Sequence, residues 1–442
     1  MSVNSLSIYG TLVSIFFVPT TSSSSSSASS AAAMSSSALL HRPQRRRISS
    51  PSTTTTPTTL TSAERVINND DLLKQILIRL PAKPLFAFKR VSKRWLSLIS
   101  DRYVLRDWLP PISPSSFFLR RYSTPSSHSI SFNHISLLPS NSTRSFDFVN
   151  DPNGVKISQS CNGLFLCSSS CFTLDYSDTR YYVLNPTTKY FSTIPRPTNG
   201  DDRNFLVSMN LAFDPSVSFH YKVVAVRSKR WRGPDFQIAI YSSQTQTWTF
   251  SEVSYAYSTL IVFENGVFLN GKIHWPTCHS LRSIYYDVNQ DKLLPFRMPH
   301  CDLTKDLLYF AESGGCLQLI EFTKNCSRHF HVFELETDYS KWFVRYHIDL
   351  KLAVPDFPEM YREQAGWPSR GYTFNVLCFL AGDLEGDSCL VLYVPGKVIS
   401  YNFKDETFRK ICDLNLSLGD IDYVRVRPWF TVHPCIETIF RV

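Results

Sequence analysis

The chain has three groups of histidine and cysteine residues whose side chains are types that bind metal ions. They are Cys161, Cys167 and Cys171, then His274, Cys278 and His279, then His329 and His331. Structural zinc sites need four ligands and commonly take them from paired C-x-x-C spacings, which none of the groups has. We therefore expect the cysteines to pack as small hydrophobic residues, and the histidines to be packed or on the surface. The sequence predicts no metal site and no cofactor.

No enzyme motif accompanies these groups. The chain lacks the nucleophile elbow G-x-S-x-G, the phosphate-binding P-loop and the zinc-protease motif H-E-x-x-H. Acidic pairs such as Asp201-Asp202 and Asp405-Glu406 fall in predicted turns, where solvated charge is ordinary. We predict that the protein is not an enzyme. A metal-dependent enzyme is the alternative, and stoichiometric copper or iron in the purified protein would support it.

Two loop-like segments combine arginine with tryptophan, residue types that are enriched where proteins bind one another. The candidate target-binding residues are Arg227, Arg230, Trp231, Arg232 and Trp367. Guanidinium groups beside an aromatic anchor suit an acidic or phosphorylated protein. The alternative is a basic hairpin tip whose Trp231 folds against the edge of a sheet. The sequence does not define which protein would bind.

Apolar residues at helical spacing fill residues 70–108 and predict three short helices. Leu72, Ile76 and Leu80 lie on one face of the first helix. Pro81 ends this helix, and Pro84 suits the first turn of the next one, where no N–H donor is needed. A module of about 40 residues is near the lower size limit for an independent core. We therefore expect a partner to cover part of its apolar surface.

This segment resembles an F-box, the helical module that docks a substrate receptor onto the Skp adaptor of a cullin-based ubiquitin ligase. The resemblance rests on Leu72-Leu73, on the run from Ile76 to Pro81 and on the later apolar positions around Trp95. It implies that the adaptor contacts Leu72, Ile76, Leu77, Leu80, Pro81, Leu85, Val91, Trp95, Leu98 and Ile99. Asn68-Asn69 stands where the family usually has Leu-Pro, so a module that no longer docks the adaptor is the alternative.

Four cations in the same segment allow a second interpretation, a helix-turn-helix that reads DNA. They are Lys89, Arg90, Lys93 and Arg94. A recognition helix offers polar side chains to the bases, whereas Trp95-Leu96 offers an apolar face. The net charge is +9, but residues 1–63 hold four arginines and no acid, which leaves 42 basic and 37 acidic groups elsewhere. We therefore expect no nucleic-acid partner. The cations would steer the module toward an acidic adaptor or form a solvated face.

Residues 1–65 are rich in serine and threonine, and we predict that they are disordered because they cannot bury enough apolar surface. The apolar run 8–18 is too short to span a bilayer, so no membrane association is expected. Eleven scattered cysteines favour a reducing compartment. The resemblance to a ubiquitin-ligase receptor implies a location in the nucleus or cytoplasm. An organelle transit peptide within residues 1–65 is the alternative, since this segment is also rich in serine and free of acids. Met34 is a second candidate start.

Short apolar runs separated by turn residues begin at about Phe117 and predict strands. Five similar hairpins are spaced by 57, 45, 49 and 66 residues, measured between Phe191, Trp248, Leu293, Trp342 and Phe408. Units of this size predict the blades of a β-propeller. We expect a sixth blade to combine residues 116–119 and 145–149 with strands near 423–427 and 438–442, because such sharing leaves no free sheet edge.

The order of three phrases in this body resembles the F-box-associated domain of plant F-box proteins, which is related to kelch propellers. The phrases are Ser160-Cys161-Asn162-Gly163-Leu164, Asn185-Pro186-Thr187-Thr188 and Asn270-Gly271-Lys272-Ile273-His274-Trp275. A Gly-Gly pair, which a true kelch array has in most blades, occurs only at Gly314-Gly315. We therefore predict a mainly β protein with a disordered tail (1–65), a small three-helix F-box (66–109) and a kelch-like propeller of about six blades (112–442).

The two resemblances together imply a function. A chain of this kind would be the substrate-recognition subunit of an SCF-type (Skp–cullin–F-box) ubiquitin ligase. Its partners would be a Skp-family adaptor, a cullin bound through that adaptor, and a target protein that the sequence does not identify. The alternatives are an interaction module outside any ligase and a propeller enzyme.

Overall fold

The computed structural model describes the chain from residue 62 onward, with gaps. The described residues are 62–108, 113–121, 131–138, 144–169, 179–198, 205–229, 235–256, 261, 263–277, 282–299, 305–323, 326–362, 371–382, 387–416 and 432–442. A module of short helices is followed by a ring of β-sheets, which confirms the predicted mainly β fold class. Residues 1–61, most of the predicted disordered tail, lie outside the described residues.

Five helices form the helical module (residues 62–108) within the described part of the chain. They are α1 (Ser62–Asn68), α2 (Asp70–Leu77), α3 (Ala82–Phe88), α4 (Lys93–Ser100) and α5 (Arg102–Asp107). The side-chain oxygen of Asn69 caps α2 by accepting hydrogen bonds from the N–H groups of Asp71 and Leu72 at 3.0 and 3.2 Å. Ser92 caps α4 by accepting from the N–H of Trp95. The three predicted helices correspond to α2, α3 and α4.

Antiparallel strands form the rest of the fold. The first two, β1 (Ser116–Arg121) and β2 (Ser131–Ser136), pair with each other. Five four-stranded sheets follow, and in each one consecutive strands are neighbours. Their strands are β3 (Val155–Cys161), β4 (Leu164–Ser169), β5 (Tyr181–Asn185) and β6 (Tyr190–Ile194); β7 (Phe205–Ala212), β8 (Lys222–Ser228), β9 (Asp235–Ser242) and β10 (Thr247–Ala256); β11 (Val267–Leu269), β12 (Lys272–Trp275), β13 (Arg282–Asp287) and β14 (Lys292–Arg297); β15 (Lys305–Ser313), β16 (Cys316–Thr323), β17 (Cys326–Leu335) and β18 (Trp342–Asp349); and β21 (Asn375–Leu380), β22 (Cys389–Val394), β23 (Lys397–Asn402) and β24 (Phe408–Asp413).

Shorter elements connect or close these sheets. They are a strand pair of β19 (Tyr361–Arg362) with β20 (Gly371–Tyr372), a last strand β25 (Val432–Cys435), and the 3-10 helices Asp147–Val149, Phe263–Asn265, Leu350–Ala353 and Pro358–Met360. The first strands of the five sheets lie side by side in the order β3, β7, β11, β15, β21, and β25 lies between β21 and β3. This closed ring is a six-bladed propeller around a central channel, which confirms the prediction.

The sixth blade contains both ends of the propeller, as predicted, but its strands differ from those expected. It has the order β2-β1-β25, in which Ser116 lies opposite Cys435. Residues 147–149 form a 3-10 helix, residues 438–442 form no strand, and residues 423–427 lie outside the described residues. The prediction for 438–442 was wrong because the carbonyls of Thr438 and Phe440 accept hydrogen bonds from the side chain of Asn185 instead of from a strand.

The predicted hairpins are confirmed in all five four-stranded blades. Each hairpin joins the third and fourth strands, and each has one residue with a left-handed backbone that tightens the turn. These residues are Lys189, Gln246, Asp291, Tyr339 and Glu406, with φ between 52° and 65°. In three of the turns, Asn185, Asp287 or Asn402 accepts hydrogen bonds from two following N–H groups. The repeat is therefore set by local turn chemistry.

The two faces of the propeller carry different connections. In an antiparallel meander, the turns between the first and second strands and between the third and fourth strands lie on one face. The helical module lies on this face, because Phe86 packs against Tyr190 and Trp108 packs against Phe440. We name it the module face. The opposite, open face carries the connections between blades, such as the 3-10 helices Leu350–Ala353 and Pro358–Met360 between the fourth and fifth blades.

Gly163, in the turn between β3 and β4, has φ +86°, and a Cβ there would lie 2.7 Å from the carbonyl oxygen of Ile436. Gly315 has φ +81° in the equivalent turn of the fourth blade, with no atom within 4 Å of such a Cβ. We expect Gly163→Ala to lower the free energy of unfolding by about 2–4 kcal/mol, from backbone strain plus the clash. Gly315→Ala should cost about 1 kcal/mol. Urea denaturation checks both, and equal losses would contradict close packing of Gly163 against the C-terminal segment.

Candidate protein-binding surfaces

Six of the ten predicted adaptor-binding residues are buried. They are Leu77, Leu80, Leu85, Trp95, Leu98 and Ile99. These side chains belong to one apolar core that also contains propeller residues of the first and second blades, such as Leu164 and Phe213. They stabilise the module and fasten it to the propeller. Their side chains are therefore not part of the surface that a partner meets.

Specific contacts join the module to residues 437–440. The indole N–H of Trp108 donates to the carbonyl of Leu80 at 2.8 Å, and the Trp108 ring lies 6.0 Å from the ring of Phe440. Lys83 Nζ lies 3.1 Å from a carboxylate oxygen of Glu437, and the same carboxylate accepts a hydrogen bond from Arg144. The C-terminal segment therefore bridges the module and the propeller.

The other four predicted adaptor-binding residues lie at the surface of the module. Leu72 and Val91 are each 47% exposed, Pro81 is exposed and Ile76 is half-buried. Leu72 and Ile76 are four residues apart and share one side of α2. Leu96 is also exposed. The sequence prediction left it out because Trp95, Leu98 and Ile99 follow helical spacing along one face of α4, and Leu96 lies off that face. These residues are apolar side chains of the module that stay accessible to a partner.

One of the five predicted target-binding residues is described by the structure, and its position corrects the prediction. Arg227 is not in an exposed loop: it lies on β8, is 1% exposed, and its guanidinium is 5.1 Å from the centre of the Phe250 ring. The reason is that β8 continues to Ser228, one residue beyond the predicted loop start. Arg230, Trp231, Arg232 and Trp367 lie outside the described residues.

Comparison with known proteins agrees with this architecture. Residues 69–107 match the F-box domain, and residues 117–309 match the F-box associated beta propeller domain. F-box protein At5g07610 of Arabidopsis thaliana is 33% identical over 377 residues, which cover 79% of this chain and 87% of the relative. The chain belongs to the F-box protein family with an F-box associated propeller.

Two further Arabidopsis thaliana relatives extend the comparison. F-box protein At5g49610 is 29% identical over 61% of this chain and 76% of its own length. F-box/kelch-repeat protein At3g23880 is 26% identical over 58% of this chain and 72% of its own length. The plant F-box resemblance inferred from the motifs is therefore confirmed.

Two of the four cations of the F-box have structural contacts. Arg94 donates to a carboxylate oxygen of Asp70 at 2.6 and 3.0 Å and to the carbonyl of Ile67 at 2.7 Å, so it clamps the start of α2. Lys89 is half-buried over the ring of Phe86, and burial together with the nearby Arg441 lowers its pKa. Arg90 and Lys93 are exposed and remain available for electrostatic steering.

The histidines and cysteines of the F-box protein lie in structural roles where they are described. Cys161 and Cys167 are buried on strands, whereas Cys171, Cys278 and His279 lie outside the described residues. His274 is buried, and its Nδ1 donates to the carbonyl of Val267 at 3.1 Å. Its Nε2 then accepts from the hydroxyl of Tyr339 at 2.6 Å, which links the third and fourth blades. Burial lowers the pKa of His274 to about 4, which keeps this ring neutral.

His329 and His331 lie together at the outer edge of the fourth blade. His331 pairs across the sheet with His347, His329 pairs with Asp349, and all four line a groove of about 320 Å³. Among the described residues, no three histidine, cysteine or acidic side chains are placed to hold a metal ion. None of the described helices has the length and apolar character needed to cross a membrane.

Proposed function

We propose that this F-box protein is the substrate-recognition subunit of an SCF-type ubiquitin ligase. The F-box binds a Skp-family adaptor and, through it, a cullin, and the propeller binds the target protein. The proposal is supported by the exposed apolar side chains of the F-box, such as Leu72 and Val91. Six other predicted contact residues are buried in the core shared with the propeller, so the exposed ones have no such structural role. The transfer chemistry belongs to the cullin assembly and its conjugating enzyme, so the chain itself is a non-catalytic receptor.

The altered start of the F-box is compatible with docking. Asn69 stands at a position where the family usually has proline, and its side chain caps α2 with two hydrogen bonds. The cap holds the first turn that carries Leu72. The start of α2 is therefore well formed without the usual Leu-Pro.

Adaptor binding is tested with exposed residues, because substitutions there leave the core intact. We expect Leu72→Asp with Val91→Asp to weaken the binding of the full chain to a plant Skp adaptor by at least about 100-fold. Each substitution removes apolar contact area and places a charge in an apolar interface. Isothermal titration calorimetry gives the affinity, and the melting temperature should be unchanged.

The matched control carries the same substitutions on the propeller. Leu138 and Val217 are exposed apolar residues there, so Leu138→Asp with Val217→Asp should leave adaptor affinity as in the wild type. A folded wild-type chain that does not bind would overturn the proposal and favour an interaction module outside a ligase. Normal binding by the Leu72 and Val91 double variant would show that another surface docks the adaptor.

We also propose a location in the nucleus or cytoplasm, where such ligases act. The candidate nuclear-import patch Arg45-Arg46-Arg47 and the alternative transit peptide both lie outside the described residues. A fluorescent protein fused to the C-terminus of the full chain should label nucleus or cytoplasm. Import into an organelle would support the transit peptide and contradict the proposed location.

A further inference from the structure

Ser92 is an exposed serine on the connection between α3 and α4 of the F-box. Residues 89–91 form a turn, and Ser92 follows with an extended backbone (φ −158°, ψ 164°). Its Oγ accepts a hydrogen bond of 3.2 Å from the N–H of Trp95, and its carbonyl accepts one of 2.9 Å from the N–H of Leu96. The hydroxyl is therefore held in one position while the residue stays accessible to a second protein.

Basic residues precede Ser92 in the chain. Lys89 and Arg90 stand three and two positions before it. Protein kinases select substrates partly by charge, and a kinase with an acidic peptide groove favours a serine that follows cations. Arg90 is exposed and can enter such a groove, whereas Lys89 is half-buried over the ring of Phe86. Arg90 is therefore the main feature that a kinase of this class would recognise.

Ser92 also lies among the exposed apolar residues that the F-box offers to an adaptor. Val91 directly precedes it and is 47% exposed. Leu96 follows four residues later, one turn along α4, and is 41% exposed. Residues at this spacing are neighbours on the surface of a helix. A group attached to Ser92 Oγ would therefore stand close to both apolar side chains.

A phosphate at Ser92 would change the charge of this surface. Arg90 and Lys93 are the exposed cations on either side of it, because Arg94 is already paired with Asp70. A phosphoserine carries a charge of about −1.5 to −2 at pH 7, so it would cancel the charge of these two cations. Electrostatic steering toward an acidic adaptor would be lost. The phosphate would also have to give up its hydration in an apolar interface, which weakens binding further.

The fold of the F-box should tolerate this phosphate. Ser92 Oγ already accepts a hydrogen bond at the beginning of α4, and phosphate oxygens can accept the same bond. Negative charge at the N-terminus of a helix is favourable, because the free N–H groups of the first turn point toward it. Phosphorylation is thus expected to change the docking surface and to leave the helices in place.

We propose that Ser92 is phosphorylated by a serine kinase that selects basic residues, and that the phosphate prevents the F-box from docking its adaptor. In the reaction, Ser92 Oγ forms a bond to the γ-phosphorus of ATP, the bond from that phosphorus to the leaving ADP breaks, and the serine proton passes to the catalytic base of the kinase. The effect on docking rests on the proposed ligase function, whereas the phosphorylation itself does not.

The first test treats the full chain with ATP and a kinase of this class, and phosphopeptide mass spectrometry locates the phosphate. Ser49 and Ser123 also follow two basic residues at the same spacing, and they lie outside the described residues. Their joint replacement by alanine removes these two competitors. Isothermal titration calorimetry with a plant Skp adaptor then compares the treated and untreated chains. We expect phosphate on Ser92 and an adaptor affinity at least tenfold lower.

Asparagine and aspartate give a matched pair of variants at this position, because both cap helices well and only aspartate is charged. Ser92→Asn should bind the adaptor like the untreated wild type, both before and after kinase treatment. Ser92→Asp should bind at least threefold more weakly than Ser92→Asn. The melting temperatures of both variants and of the phosphorylated chain should match that of the wild type, so that the lower affinity reflects the surface and not the fold.

Several outcomes would overturn the inference. They are the absence of phosphate on Ser92 in a wild-type chain whose Ser49 is labelled, unchanged adaptor affinity after phosphorylation of Ser92, and an equal loss of affinity in treated Ser92→Asn. A lower melting temperature of the phosphorylated chain would assign the loss to unfolding and would overturn it as well. A folded, untreated chain that does not bind the adaptor would instead overturn the ligase assignment on which the docking effect rests.

Discussion

Replacing Trp95 with alanine should lower the free energy of unfolding of the F-box by about 3–5 kcal/mol. Trp95 is 3% exposed and packs edge-on against Phe88 with ring centroids 5.2 Å apart. The substitution therefore leaves a cavity in the core that the F-box shares with the propeller. Thermal and urea unfolding, followed by tryptophan fluorescence and circular dichroism, would measure the loss.

Leu96 provides the matched control, because it is the next residue on the same helix and is exposed. Leu96→Ala should change stability by less than about 0.5 kcal/mol. A small effect of Trp95→Ala would mean that the shared core is not formed. Adaptor binding by the Trp95 variant should also fall, but through loss of structure and not through loss of a contact. Trp95, although predicted to be an adaptor contact, is therefore unsuitable as a test of docking.

Replacing Asn185 with aspartate should lower the free energy of unfolding by about 3 kcal/mol or more. The buried Asn185 amide donates to the carbonyls of Thr438 and Phe440 at 3.0 and 2.8 Å. A carboxylate has no proton to donate and would direct its charge at two carbonyl oxygens. Each unsatisfied buried group costs about 1–3 kcal/mol. The C-terminal segment should then detach, which limited proteolysis would detect as cleavage after residue 436.

The equivalent turn of the fifth blade gives a control with identical chemistry. Asn402 accepts from the N–H groups of Lys404 and Asp405, and its side chain makes no hydrogen bond to the described C-terminal residues 432–442. Asn402→Asp should therefore change stability by less than about 1 kcal/mol, because a carboxylate accepts the same two bonds. Asp287 already performs this function in the third blade. Equal losses at positions 185 and 402 would assign the effect to the turn and exclude the C-terminal anchor.

Features set by neighbouring residues were predictable from the sequence. The hairpins follow from turn residues such as Asn402 with Glu406, which act within a few positions of one another. The helices of the F-box follow in the same way from caps and apolar spacing. The four-stranded blades are regular because each one repeats a tight turn with a left-handed residue between its third and fourth strands.

Apart from the sixth blade, which the sequence correctly predicted to contain both ends of the propeller, contacts between distant residues were not predicted. Leu80 and Trp95 show the apolar spacing of a partner surface, but their burial depends on propeller residues more than 60 positions away. Arg227 occurs in a basic run that is typical of a loop, and only the register of β8 with β9 reveals that it is inside.

The contact between Trp108 and Phe440 has a consequence for how the chain is made. These residues are 332 positions apart. At about 5–20 residues per second, the ribosome adds Phe440 roughly 20 to 70 seconds after Trp108. During this interval the F-box has emerged first but cannot bury the apolar side that later faces the propeller. Chaperones would therefore meet an incomplete F-box before any adaptor meets a complete one, and only chains translated through residue 440 would present the docking surface in its final form.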